Sequence, residues 1–325
     1  MIDFRYHLVS IVAIFLALSV GIVLGTSFLE DPAIKTAQAL AERLSKGNDE
    51  LRGQIESLQK REAGTDALIA AATPRLVQDA LATERVVIVE APGATAGMRE
   101  AVQEVIAKSG ATVTGRVVLA DTYVDATQSA AIDKLATDAK PAEMTFVPDA
   151  TPYEKTAAVL ASAIMTSDPG QLGKENPVAA GVLDAFENGG LLTVSGQPAK
   201  RADLAVLVAP AEPYTGENAV QQAGAITAMA VGLDDAGRGA VLAGALPAAA
   251  TGGVIAALRE DTAAAEKVST VDTADMPAGR VVVVYALREQ LFGVAGQYGL
   301  GSGASGIEPS APPTPAPVPT ATSGG

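Results

Sequence analysis

From Leu8 to Leu29 the chain carries no charged residue, and LVSIVAIFLALSVGIVLGTSFL is apolar almost throughout. A hydrocarbon core of roughly 30 Å takes about 20 such residues in a helix, so the pattern predicts a transmembrane helix and a membrane anchor over residues 1–30. Over residues 31–72 the apolar positions turn heptad-like. Ala37, Leu44, Leu51 and Leu58 lie seven apart, while Ile34, Ala41, Asn48, Ile55 and Ile69 fit the second core position, with Glu62 interrupting them. Pro32, just after Glu30 and Asp31, suits the first turn of a new helix. Gly47 and Gly53 weaken that helix by about 1 kcal/mol each relative to Ala.

From Glu84 the pattern becomes short, continuously apolar runs separated by helical segments. It predicts strands over Arg85–Val89, Thr112–Leu119, Leu191–Ser195, Leu204–Val208, Ala240–Ala243 and Arg280–Tyr285 (RVVVVY). Helices are expected over Gly97–Ser109, Pro152–Thr166, Pro177–Asn188, Glu217–Val231, Gly253–Glu266 and Leu287–Phe292. Strands apolar on both faces and alternating with helices mean a sheet covered on both sides. The fold class is therefore α/β, with a Rossmann-like, mostly parallel sheet over residues 84–292. RVVIVEAPGATAG and LAVLVAPAEPYTG each run a buried strand into an Ala-Pro turn, a short likeness between two units of that sheet. Residues 293–325 are first Gly-rich and then Pro-rich, too irregular for secondary structure, and are expected to be a disordered tail with polyproline II character.

The apolar run has two readings, a cleavable signal and a retained anchor. A signal core is shorter than this one, which favours the anchor. Arg5 before the run, against Glu30 and Asp31 after it, points to a cytoplasmic N-terminus and a main domain outside the cytoplasm. Ala13, Ala17, Gly21 and Gly25 recur every fourth residue, a ridge that lets two membrane helices approach closely, although Ala and Gly are common in such helices anyway. Asn48 in a seam with Leu44, Leu51, Ile55 and Leu58 favours a parallel pair in fixed register. The other reading is one amphipathic helix packed on its own domain. Together the ridge and the seam make a parallel homodimer or higher homo-oligomer the expected assembly, with membrane lipid as a further partner.

Charge and composition narrow the chemistry. A net charge of −14, spread along the chain, argues against nucleic acid, which needs clustered Lys and Arg. There is no Cys, and the one His is His7 beside the apolar run, so thiolate sites and ordinary zinc sites have no ligands in the main domain. The turn at Gly93–Gly97 stands where a phosphate loop would. It lacks both the third Gly of the dinucleotide fingerprint and a Lys-Ser/Thr pair. Asp234-Asp235 reads as a carboxylate pair in a solvated Gly-rich turn rather than a calcium cage. Ser195-Gly196 is not a nucleophile elbow, and no His completes a triad. Met98, Met144, Met165, Met229 and Met276 are scattered, as core filler would be. No catalytic residue, cofactor or metal ligand is assigned.

The opening MIDFRYHLVSIVAIFLALSVGIVLG, the TSFL and coiled segment behind it, and the late GQYGLGSGASGIEP resemble the actinobacterial family named for the mycobacterial copper transport protein MctB. The likeness spans nearly the whole chain. It implies a membrane-associated protein of copper homeostasis, with copper as the transported or sensed ion; the missing catalytic set, for its part, argues against an enzyme. In mycobacterial members it further implies channel formation in the outer membrane and limitation of intracellular copper. The residues themselves agree on the membrane and not on a pore, because outer-membrane strands alternate apolar and polar positions, and RVVIV and LAVLV do not. The alternative function is an envelope scaffold whose α/β domain engages a protein or cell-wall partner.

Overall fold

A computed structural model describes residues 4–310, the side chains of residues 26–34 and 37 excepted. The Pro-rich segment from residue 311 onward, where a disordered tail is expected, lies outside the described residues. The elements in chain order are α1 (Phe4–Leu76), β1 (Arg85–Glu90), α2 (Ala96–Lys108), β2 (Thr112–Leu119), α3 (Ser129–Ala139), α4 (Pro152–Ile164) and α5 (Pro177–Asn188). They continue with β3 (Leu192–Gly196), β4 (Leu204–Val208), α6 (Ala219–Ala236), β5 (Gly239–Ala243), α7 (Val254–Glu260), α8 (Thr262–Ala265), β6 (Ser269–Val271), α9 (Pro277–Gln290) and β7 (Gln297–Tyr298). The chain divides into two compact units, residues 1–65 and 66–325.

The first unit is a single stretch of α1. The helix expected to restart at Pro32 does not; α1 runs unbroken through it. An interior proline costs one ladder hydrogen bond and crowds the carbonyl four residues back, about 3 kcal/mol, yet the backbone is helical on both sides of it.

The second unit is a sheet in the order β3-β2-β1-β4-β5-β6-β7. All neighbours pair in parallel except β2 and β3, where Leu119 lies opposite Leu192 in an antiparallel edge. Side chains alternate across it as the pleat requires. Val87, Val89, Leu207 and Leu242 face a core built with α3, α4, α5, α6 and α7. Val86, Ile88, Val206 and Val241 face a second core built with α2, α9, Val77 and Leu81. Local signals start several of these helices. Thr151 and Glu154 form a reciprocal capping box ahead of α4 with Pro152 in its first turn, and Thr95 caps α2.

Two strand expectations need correction. Arg280–Tyr285 is not a strand but the middle of α9. Four successive valines suit a strand by propensity, yet the helical cost of each β-branched residue is only a few tenths of a kcal/mol. Pro277 opens the helix at a position that suits proline, Ala286 to Gln290 extend it with good helix formers, and all four valines are buried in the second core. The strand that pairs beyond β5 is the three-residue β6 instead. The Gly-rich segment is also not free of regular structure, since Gln297–Tyr298 pairs with β6 as the last strand. Helix α3 answers to no expectation, although Ile132 and Ala136 recur at helical spacing on its buried face.

Candidate functional site

One helix among the described residues, Phe4–Gly25, is long and apolar enough to cross a membrane. Ser19, within it, donates its hydroxyl to the carbonyl of Phe15 at 2.8 Å, so the polar atom is satisfied inside the helix. Ala13, Ala17 and Gly21 are exposed along one ridge and Gly25 is half-exposed. Leu44, Asn48, Leu51, Ile55 and Leu58 follow on the same uninterrupted helix, all exposed.

In an open α/β sheet the usual ligand crevice lies at the carboxyl ends of the two strands where the order reverses. Here these are β1 and β4, and the crevice is stapled shut. The Tyr214 hydroxyl donates to the Pro92 carbonyl at 2.9 Å, and Ala211 N–H donates to the Gly93 carbonyl at 3.0 Å. Gly93, at φ 87°, passes so close to Pro210 that a β-carbon there would meet it at 3.3 Å. The two Ala-Pro turns that look alike in sequence thus hold each other. Glu90, at the end of β1, is buried with Arg116 at 3.4 Å and Arg99 at 3.8 Å. Burial pushes its carboxyl pKa up and Arg99 pulls it back. Arg99 also pairs with Glu100 at 2.5 Å, so two guanidiniums are set against two carboxylates and neither stands free for a phosphate.

The carboxylate pair Asp234-Asp235 sits in the last turn of α6 rather than in a loop. Asp234 accepts from Ala240 N–H, and burial raises its pKa to about 6, while Asp235 pairs with Lys267 at 2.6 Å. Glu84 and Asp203, just before β1 and β4 at the same amino end of the sheet, share Arg238 at 3.1 and 3.4 Å. Among the described residues no three His, Cys, Asp or Glu side chains gather as a metal site.

The most built polar arrangement is one that sequence reasoning missed. Arg259, on α7, and Asp272, just past β6, form an ion pair at 2.8 Å with side chains 3% and 0% exposed. Arg259 also donates to Thr270, to the Tyr298 carbonyl and to the Ser302 carbonyl. Asp272 accepts the N–H groups of Leu300 and Gly301 at 2.8 and 2.9 Å. Gly299, at φ 134°, has no room for a side chain, because a β-carbon would strike the Asp272 carboxylate. The Gln297 amide is fully used, accepting from Thr270 and donating to the carbonyls of Ala265 and Val268. The Gly-rich segment is therefore wrapped around one buried carboxylate and bound to the sheet edge. The density of glycine between Gly296 and Gly303 was the signal available in sequence, since such runs mark close backbone approach.

The two segments that carry the sequence resemblance, the apolar helix and this Gly-rich wrap, are matched together. A family model described as "Copper transport outer membrane protein, MctB" matches residues 1–309. The chain belongs to the MctB family. Proteins named "Copper transporter MctB" from Mycobacterium tuberculosis (strain ATCC 25618 / H37Rv) and Mycobacterium bovis are 30% identical to it over 314 residues, covering 94% of this chain and 99% of theirs. The protein of that name from Mycobacterium leprae is 29% identical over 315 residues with the same coverage. The MctB match thus takes in the membrane-length helix, the sheet and the wrap.

Proposed function

We propose that the chain is a non-enzymatic, membrane-anchored protein of copper transport and homeostasis in the cell envelope. Its N-terminus is cytoplasmic and its α/β unit lies outside the cytoplasm. The observation that carries this reading is the family match, unbroken from the apolar helix to the Gly-rich wrap. A single N-terminal span supports anchoring by one helix. The seven described strands form an open sheet with two edges, both faces covered by helices, which supports a unit standing beside the membrane rather than a barrel within it. The test is copper content after copper exposure in cells with and without the gene. Cells lacking it are expected to hold at least twofold more copper, reversed by the intact gene; equal content would overturn the reading.

A second reading has its own support. That no three His, Cys, Asp or Glu side chains gather among the described residues supports an envelope scaffold whose α/β unit engages a protein or cell-wall partner, copper being handled by that partner. Copper(I) competition against a strong chelator separates the two, using the full chain. A fragment ending at Phe292 would lose β7 and the residues that Arg259 and Asp272 hold. One tightly retained copper per chain favours direct handling, and none favours the scaffold.

A further inference from the structure

Leu44, Leu51, Ile55 and Leu58 stand between 54% and 66% exposed on one stripe of α1. With Asn48 they alternate four and three residues apart, the spacing of a coiled-coil seam. Apart from Arg52 and Arg61, which flank it, the charges avoid the stripe. Glu42, Lys46, Asp49, Glu56 and Lys60 fall on the far side of the helix, where Lys60 pairs with Glu56 at 2.7 Å. Ser45, Gly47, Gln54 and Gln59 flank the seam without charge.

This helix is poorly furnished to stand in water. Gly47, Gly53 and Gly64 each cost about 1 kcal/mol relative to Ala, and a β-carbon at any of them would meet nothing within 4 Å. Most helical stability comes from packing an apolar face. The occupant best matched to a stripe with this spacing is the same stripe. Two copies in parallel set Asn48 against Asn48, where the amides hydrogen-bond; a shift by one heptad sets it against Ala41 or Ile55, and an antiparallel pair against Leu. A parallel pair also places Arg52 beside Gly47 of the second copy, away from any like charge.

We propose that this stripe is the seam of a parallel, two-stranded coiled coil between two copies of the chain, in register at Asn48. The proposal stands apart from the copper reading, and either can fail alone.

The chain has no cysteine, so single cysteines report without background. Full-length Leu44→Cys, Leu58→Cys and Glu56→Cys variants, in vesicles of phosphatidylcholine and phosphatidylglycerol, are treated with a short bismaleimide in copper-free buffer. Leu44→Cys and Leu58→Cys should each link to themselves as dimers, at least fivefold faster than Glu56→Cys on the outer face. Equal rates at all three positions, or a trimer mass from light scattering of the unlinked protein in detergent, would overturn the proposal. So would linkage seen only when Leu44→Cys and Leu58→Cys are mixed, which is the mark of an antiparallel pair. Leu51→Asp should lower Leu44→Cys linkage at least fivefold, and Asn48→Gln should lower it less. Unfolding of the α/β unit, followed in the same samples, should not change.

Discussion

The two units use apolar residues in opposite ways. In the α/β unit, Val87, Leu160, Leu207 and Leu242 are fully buried and each has neighbours from other elements. Among the described side chains of residues 4–65 the apolar ones are exposed, and the polar contacts are local, such as Lys60 with Glu56 and Gln54 with Glu50. Neither pair reaches beyond one helical turn. The difference teaches that apolar content alone does not make a core. One unit supplies its own interior, while the other presents surfaces that, by our proposals, lipid and a second copy cover.

The largest break in this comparison is expected at the buried ion pair. Asp272→Ala leaves the Arg259 guanidinium charged and buried, and should cost about 3–5 kcal/mol of unfolding free energy, read by denaturant titration of the full chain. A loss under 1 kcal/mol would mean that solvent reaches Arg259 readily. Linkage at Leu44→Cys should be unaffected, which would confirm that the units report separately.

Next in size is a pH effect confined to the α/β unit. A hydrogen bond to Asp203, with burial behind it, pushes the Glu84 carboxyl pKa up to about 7 from an ordinary 4.5. A carboxyl raised in the folded state binds a proton that the unfolded chain releases, so its contribution grows as pH falls through about 7 and is complete below about 4.5. Asp234, raised to about 6, acts in the same direction. Between pH 8 and pH 5 the native chain should therefore gain more, or lose less, stability than Glu84→Gln. Parallel pH curves for the two would remove Glu84 from the account.

Smaller effects belong to the helix. Replacing Gly21 and Gly25 with Leu should lower dimer linkage of Ala41→Cys by about twofold or more, since close approach of the ridge is lost. Unchanged linkage would leave the heptad seam acting alone. Smallest of all, Lys60→Ala removes a pair whose side chains are 74% and 67% exposed, and should shift helix stability by no more than about 0.5 kcal/mol.

Most of the sheet was legible because burial on both faces leaves unbroken apolar runs, as in β1, β4 and β5. The reading failed where tertiary burial overrode local preference. The valines of α9 are apolar on every side because the helix is enclosed, and a short enclosed helix and a buried strand look alike in sequence. Strands β6 and β7 are too short to carry a period. The membrane span needed only length and absence of charge. Arg259 and Asp272 were invisible because a lone pair thirteen residues apart has no pattern, although the glycines around Leu300 marked the backbone that closes on them.

The Gly-rich wrap also sets an order of events. A chain is made from its N-terminus, so the apolar helix is complete while the sheet is still being synthesised. The Asp272 carboxylate emerges before the amides of Leu300 and Gly301 that it must bind. Until those last residues arrive, Arg259 and Asp272 sit at an unfinished edge open to water. The fold is thus sealed by nearly its final described residues. A chain cut short before Leu300 would leave the Asp272 carboxylate without the two amides that close on it.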